Sequence, residues 1–460
     1  ANGNHGEDVK ELYYYLDNTP THSYMKYLYK YPQQAFPYAE LEEKNKHRSR
    51  LQDEYEIIDT GIFNEGKYFD VFIEYAKNNE EDICIKITVH NRCNLKAPIV
   101  LMPTLWMRNL WAFNLENEKP VIELINEDSN TSEAFIYTPK LGAYQFYFQT
   151  PERVLFTENE TNTERLYNIP NKNPFVKDIF HEAVISNNFN LPENKKSGTK
   201  FAPFYRYNVD GIGSVSIKLR LSKTKLNNPL GKDFDEIFKS RMQEANEFYD
   251  QLITTKNEDL KNIQRQAYAG MLWNKQFYYI DIPSWLKGDE GQPPPPQERL
   301  NGRNSKWLTL NNEDIISMPD KWEYPWYAAW DLPFHCLPLA SLDPQFAKNQ
   351  LLLLLREWYM NPYGQIPAYE WNFSDVNPPV QAWACMQVYK AEKKSLGKGD
   401  TLFLERVFQK LLINFTWWVN RKDRQDNNVF EAGFLGLDNI GVFDRNNVPE
   451  GGSLEQADGT

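Results

Sequence analysis

Residues 231–252 read Gly-Lys-Asp-Phe-Asp-Glu-Ile-Phe-Lys-Ser-Arg-Met-Gln-Glu-Ala-Asn-Glu-Phe-Tyr-Asp-Gln-Leu, and here the hydrophobic period of the chain changes. Phe234, Ile237, Phe238, Ala245, Phe248, Tyr249 and Leu252 recur at intervals of three and four, which puts them on one face of a helix. A second helix follows, with Leu260, Ile263, Ala267 and Met271 facing inward. Upstream, residues 53–222 instead show short alternating or β-branched runs at 68–75, 83–89, 97–101, 144–149 and 214–221, separated by Asn, Gly and Pro clusters. Runs of that kind read as strands, and their spacing suits a β-sandwich. Residues 7–31, rich in Tyr, Leu and Met, read as a short helical lead-in that ends at the turns of Tyr31-Pro32 and Phe36-Pro37.

Downstream, helix starts are marked by Asp343-Pro344, Asn377-Pro378 and Asp400, each a capping residue followed by Pro or a helix former. With residues 330–342 counted, about six helices follow residue 230. The longest connection, 283–327, holds the proline run 293–296 and the pair Arg303-Asn304. A loop this long on a helical scaffold builds a site or its rim, a stiff spacer being the plainer alternative. The division expected is therefore a helical lead-in at 1–52, a β-sandwich at 53–230 and a helical catalytic region at 231–460, an α+β multidomain chain.

With 51 basic and 63 acidic residues among 460, the net charge is −12, which argues against nucleic acid or an anionic membrane as the main partner. Aromatic residues make up 15%, including 13 Trp and 27 Tyr; flat ring faces suit sugar rings, although wide helix contacts use them too. Cys84, Cys93, Cys336 and Cys385 are too few and scattered for a disulfide framework and read as buried thiols. No long apolar run and no signal-peptide pattern occurs, so a soluble, cytoplasmic chain is the expectation. Sequons at Asn130, Asn159, Asn372 and Asn414 are close to chance in so Asn-rich a sequence.

Two segments set carboxylates among aromatics. The first is Trp322-Glu323-Tyr324-Pro325-Trp326-Tyr327-Ala328-Ala329-Trp330-Asp331-Leu332-Pro333-Phe334-His335, with Asp331 behind an aromatic wall at a loop-to-helix junction. The second is Phe430-Glu431-Ala432-Gly433-Phe434-Leu435-Gly436-Leu437-Asp438-Asn439, Gly-rich and following an apolar helix. Hydrolysing a glycosidic bond needs one carboxylic acid to protonate the leaving oxygen and a second carboxylate to activate water or attack carbon. Taken singly, Asp331 reads first as a helix N-cap, Asp438-Asn439 as a turn, and His335 as a core histidine or one placed behind the site residues. Glu370 and Glu431 are rim or structural groups. Asp423, Asp426, Asn427 and Asn428 lack the Gly and Glu offsets of a calcium loop.

In this order, the two segments resemble the paired signatures of glycoside hydrolase family 63, which includes processing α-glucosidase I, bacterial α-glucosidases and mannosylglycerate hydrolase. Between them, Asn377-Pro378-Pro379-Val380-Gln381-Ala382-Trp383 is similar to the family's Gln-Pro-Pro segment, with Asn in place of Gln. The resemblance implies an (α/α)6-type helical barrel behind the β-sandwich and inversion at the anomeric carbon, with no cofactor and no metal. It makes Asp438 the general acid and gives Asp331 the task of holding hydroxyls of the released sugar. Trp330, Phe334 and Trp326 would form the sugar wall, with Asn304, Trp371, Asn377 and Trp383 also lining the substrate site. It places the general base, a Glu, near the end of the barrel, beyond Thr460, so that the barrel is incomplete in this chain. The partners implied are a sugar or oligosaccharide substrate and the remaining half of the barrel, not nucleic acid or membrane.

An inverting α-glycosidase acting on α-glucosides or small α-glycosides is the leading expectation. The alternatives are a non-catalytic carbohydrate-binding or scaffold protein that keeps the aromatic wall, and a trehalase-like hydrolase or a phosphorylase of the same barrel.

Overall fold

The structure, a computed structural model, describes residues 11–49, 51–111, 118–187, 195–288, 293–302, 307–308, 310–320, 325–369, 373 and 377–420, together with the backbone of 430–431 and 457–458. Sheets come first and helices after. The strands of the first part are β1 (Leu12–Asn18), β2 (Tyr24–Pro32), β3 (Tyr68–Asn79), β4 (Asp82–Asn91), β5 (Ala97–Leu101), β6 (Leu105–Trp106), β7 (Val121–Glu127), β8 (Thr131–Thr138), β9 (Gly142–Gln149), β10 (Arg153–Thr157), β11 (Ser197–Gly198), β12 (Lys200–Val209) and β13 (Ser214–Ser222). Three short helices interrupt them: α1 (Tyr38–Lys46), α2 (Thr163–Tyr167) and α3 (Ile179–Ile185).

A nine-stranded sheet runs β1-β2-β3-β4-β13-β9-β8-β7-β11, and a smaller sheet runs β10-β12-β5, with β6 also on β12. Every pairing described is antiparallel, so alternate side chains point to one face. Phe69, Val71, Val89 and Ile217 of the large sheet pack on Ile99, Leu101 and Tyr205 of the small one. Further along, Ile136, Phe148 and Leu219 meet Phe156 and Phe201. Each such fully buried Val, Ile or Phe contributes roughly 1.5–3 kcal/mol. Cys84, Cys93, Cys336 and Cys385 are all free and buried.

The lead-in departs from expectation. Residues 12–18 and 24–32 form strands β1 and β2, which extend the large sheet through β3, and within residues 1–52 only α1 is helical among those described. The reason is packing at long range. Tyr15 stacks on Trp273 and Tyr27 lies tilted against it, at ring-centroid distances of 5.6 and 5.8 Å. Aromatics of this kind favour a pleated, half-buried surface over a helix.

The second part holds α4 (Lys232–Leu252), α5 (Glu258–Trp273), β14 (Lys275–Asp281), α6 (Ile282–Lys287), β15 (Asn311–Ser317), α7 (Asp331–Leu342), α8 (Pro344–Leu353), α9 (Gln381–Leu396) and α10 (Thr401–Asn420). The short strands β16 (Phe430–Glu431) and β17 (Ala457–Asp458) then pair with each other. The face read from residue 234 onward is the buried one: Phe234, Ile237, Phe238 and Ala245 pack on Tyr24, Ala76 and Cys84. Tyr249 Oη donates to the Asn18 carbonyl at 2.6 Å and Trp273 Nε1 to that of Asp17 at 3.0 Å. The first two helices are thus fastened to the sheet, and packing continues across both expected boundaries, 52/53 and 230/231.

Asp343 caps α8 by accepting from Phe346 N at 2.9 Å, and Asp400 caps α10 by accepting from Phe403 N at 3.0 Å. Asn377 caps nothing; α9 begins only at Gln381. The long connection is an insertion in a hairpin. β14 and β15 pair in register from Lys275↔Ser317 to Asp281↔Asn311, bracketing residues 282–310. Beyond it, Leu332, Cys336 and Leu339 of α7 share one core with Leu351 of α8, Ala384 and Val388 of α9 and Phe403 and Val407 of α10. Lys348 ties three of these helices, its Nζ lying 2.7 Å from Glu392 and 2.8 Å from Asp400.

Candidate active site

The segment leading into α7 is held by main-chain bonds. Ala328 and Tyr369 form an isolated antiparallel bridge, and Ala329 N donates to the Ala368 carbonyl at 2.8 Å. The same carbonyl accepts Asn377 Nδ2 at 2.7 Å. Asn377 is therefore buried as a brace behind the site; its Oδ1, like Gln381 Oε1, has no partner among the described residues. Both residues border a cavity of about 30 Å³ together with Ala329, Trp417 and Trp418.

The aromatic run divides between core and wall. Tyr327 is fully buried, edge-on to Tyr278 and Tyr359 at 5.6 Å each. Trp330 instead meets Phe334 at 6.2 Å, and Phe334 meets Trp383 of α9 at 5.6 Å. Phe334 and Trp383 are each 45% exposed, so their ring surface is open to a ligand. Trp326 is half-buried in the segment that precedes them.

Asp331 is the first residue of α7, and the N-cap position belongs to Trp330, which makes no side-chain cap. The capping reading of Asp331 is thereby set aside. Phe334 and His335 stand three and four positions on, so they share its helix face. Burial pushes the Asp331 carboxyl above the ordinary carboxylate value, and its own backbone N–H pulls the other way without cancelling it. No side chain among the described residues donates to this carboxyl.

His335 is a neutral, packed histidine. Burial pushes its imidazole down to about 4, and its Nδ1 lies 3.2 Å from Ser317 Oγ at the end of β15. Among the described residues no group of three His, Cys, Asp or Glu side chains is placed to hold a metal. No helix there is long and apolar enough to cross a membrane. Asn414, one of the sequons, is buried in α10 with Nδ2 donating to the Gly364 carbonyl at 2.7 Å.

Of the residues singled out in the sequence, the structure brings Trp330, Asp331, Phe334 and Trp383 to one surface and sets Asn377 behind them. Asn304, Glu370, Trp371 and Asp438 lie outside the described residues, as does the side chain of Glu431. Pairing of Phe430–Glu431 with Ala457–Asp458 brings together the two ends of the segment that contains Asp438. The bracing role of Asn377 was not legible in the sequence, where only its neighbouring prolines gave a signal.

Comparison with known proteins bears on this surface directly. The chain is 46% identical, over 506 aligned positions, to the uncharacterized protein YMR196W of Saccharomyces cerevisiae. That alignment covers 100% of this chain and 46% of the yeast protein, so the chain spans about half the length of its relative. Among solved structures, a putative kojibiose phosphorylase from human microbiome aligns at 9% identity over 78% of this chain and 44% of its own, with a TM-score of only 0.22. Residues 324–434, which run from the aromatic wall to the Gly-rich segment, match the family of the mannosylglycerate hydrolase MGH1-like glycoside hydrolase domain. Over those residues the chain is similar to that glycoside hydrolase domain family.

Proposed function

We propose that this chain supplies the acid and the sugar-holding wall of an inverting α-glycosidase acting on α-glucosides or other small α-glycosides. The observation that carries the reading is the half-buried Asp331 carboxyl, without a side-chain partner among the described residues, beside the half-buried Trp330 and the open Phe334 and Trp383 rings. A sugar ring laid on that wall directs vicinal hydroxyls at Asp331. Their O–H groups donate to the carboxylate, offset the cost of its burial and fix the anomeric carbon for attack. Asp438, from the Gly-rich segment, protonates the leaving glycosidic oxygen while a second carboxylate activates water on the opposite face of the ring. We assign that base to none of the described residues, and propose that α4–α10 belong to an α/α barrel.

The test uses the full-length protein on a panel of α-glycosides, with the anomer of the first product read by NMR. Asp438→Asn is expected to abolish turnover while sugar binding persists. Asp331→Ala is expected to lose both affinity and rate, because it touches the sugar before and during reaction. Unimpaired turnover in Asp438→Asn refutes the acid assignment, and a product that retains its anomeric configuration refutes inversion.

A further inference from the structure

A second concavity, of about 540 Å³, opens where the residues after β6 meet the insertion bracketed by β14 and β15. Its lining includes Arg108, Tyr279, Asp281, Ser284, Trp285 and Arg299, none of which belongs to the Trp330–Phe334–Trp383 surface. The volume falls in the range of small-molecule sites, about 300–1,000 Å³.

Two cations define it. The Arg108 guanidinium lies 4.5 Å from the Tyr279 ring centre and 4.9 Å from that of Phe277, both on β14. Arg299 lies 4.6 Å from the Trp285 ring and donates from Nη1 to the Trp285 carbonyl at 3.0 Å. Neither guanidinium has a carboxylate partner among the described residues. The only acid among the described lining residues, Asp281, already accepts Ser284 Oγ at 2.6 Å, and nearby Glu313 faces Lys140 at 4.0 Å. In a chain of net charge −12, the described lining residues set two such cations against one acid, a reversal of sign among them.

The proline run supplies a rigid wall. Pro296 has φ −63° and ψ 146°, the polyproline II conformation. Gly288, at the end of α6 with φ 81°, approaches so closely that a Cβ there would stand 2.6 Å from Pro295 Cγ. The wall is thereby fixed against the helix that presents Trp285.

We propose that this cavity binds a saccharide carrying an oxyanion, either a phosphate ester or a carboxylate, through Arg108 and Arg299. A guanidinium held flat on a ring keeps its N–H edge free and loses little further freedom when it forms paired bonds to an oxyanion. The volume far exceeds a bare phosphate, and Asp281, Ser284 and Tyr279 offer the acceptors and donors that hydroxyls require. Asp281 also disfavours a polyanion, which confines the charge to one end of the ligand. The proposal does not rest on Asp331 or Asp438.

Isothermal titration of the full-length protein with glucose 6-phosphate, glucuronate and glucose tests it, repeated with Arg108→Gln and Arg299→Gln. At least one anionic sugar is expected to bind at least about tenfold tighter than glucose, a difference of about 1.4 kcal/mol. Each variant should weaken that binding by a similar factor without moving the thermal midpoint, and added salt should weaken the wild type. A response to only the phosphate ester, or only the carboxylate, identifies the oxyanion. Equal affinity for glucose, unaltered affinity in both variants, or a Kd above about 1 mM for both anions overturns the proposal.

Discussion

His335 sits on α7 one turn beyond Asp331, and replacing it with glutamine should remove a defined part of the acid sensitivity of the fold. Burial depresses its imidazole from the ordinary 6.5 to about 4. The unfolded chain exposes the ring and takes up a proton below about pH 6.5, whereas the folded protein refuses one until about pH 4. The contribution of neutral His335 is therefore fully present above pH 6.5 and is lost as the pH falls from 6.5 towards 4. At about 1.4 kcal/mol per pH unit the loss is about 3 kcal/mol. Asp331, also in this region, has a raised carboxyl that takes up its proton more readily when folded, so its contribution has the opposite sign. Comparing wild type with His335→Gln cancels it, and glutamine keeps a hydrogen-bonding group near Ser317. Urea unfolding of both proteins between pH 7 and pH 4 is the assay. The gap between their stabilities should close by about 3 kcal/mol on acidification. Parallel curves over that range would refute the reasoning that burial holds this ring neutral.

Two further tests probe how the scaffold holds the site. Arg220 is buried with its guanidinium on Asp82, at 2.8 and 2.6 Å, and on Asp233 at 2.9 Å. Asp82→Ala should cost about 3–5 kcal/mol by leaving a buried cation poorly paired, while Asp82→Ala with Arg220→Met should recover most of it in thermal unfolding. Asn377→Ala removes the bond to the Ala368 carbonyl and should cost about 1–3 kcal/mol. Because that carbonyl also holds Ala329, this variant should raise KM more than it lowers kcat.

Local helix signals held in part: Asn377 caps nothing, and Leu260 and Ile263 of α5, expected inward, are exposed, whereas two other caps and the face of α4 stand as read. Asp343 and Asp400 cap α8 and α10 because a cap needs only a backbone N–H three residues on. The face of α4 was legible because the helical period is written within it, and the helix buries that face whatever it meets. Strands β1 and β2 were not, since what makes Tyr15 and Tyr27 strand residues is Trp273, almost the whole sheet domain away in sequence. The β14–β15 hairpin was hidden for a related reason: its partners are separated by residues 282–310, so no turn signature joins them.

At the site, chemistry was legible and orientation was not. Residue type alone left Asp331 as either a helix cap or a ligand group, and the two differ in where the carboxyl finds its donors. Trp330 occupies the cap position, so the helix asks nothing of the Asp331 side chain. Burial then works against the anion with no cation to offset it among the described residues. A fold gains nothing from such a group, since an apolar residue of similar volume would be cheaper to bury there. The carboxyl stands instead at the one surface where open rings on α7 and α9 meet, Phe334 and Trp383, and donors brought by a sugar would restore its ionised form. Binding and ionisation are on this view one event. Sugar affinity should therefore fall as the pH drops below the raised Asp331 value, and an Asp331→Asn protein, which cannot ionise, should bind sugar weakly with no such dependence. A wild-type affinity flat across the acid range would show that the carboxyl is not what the sugar meets.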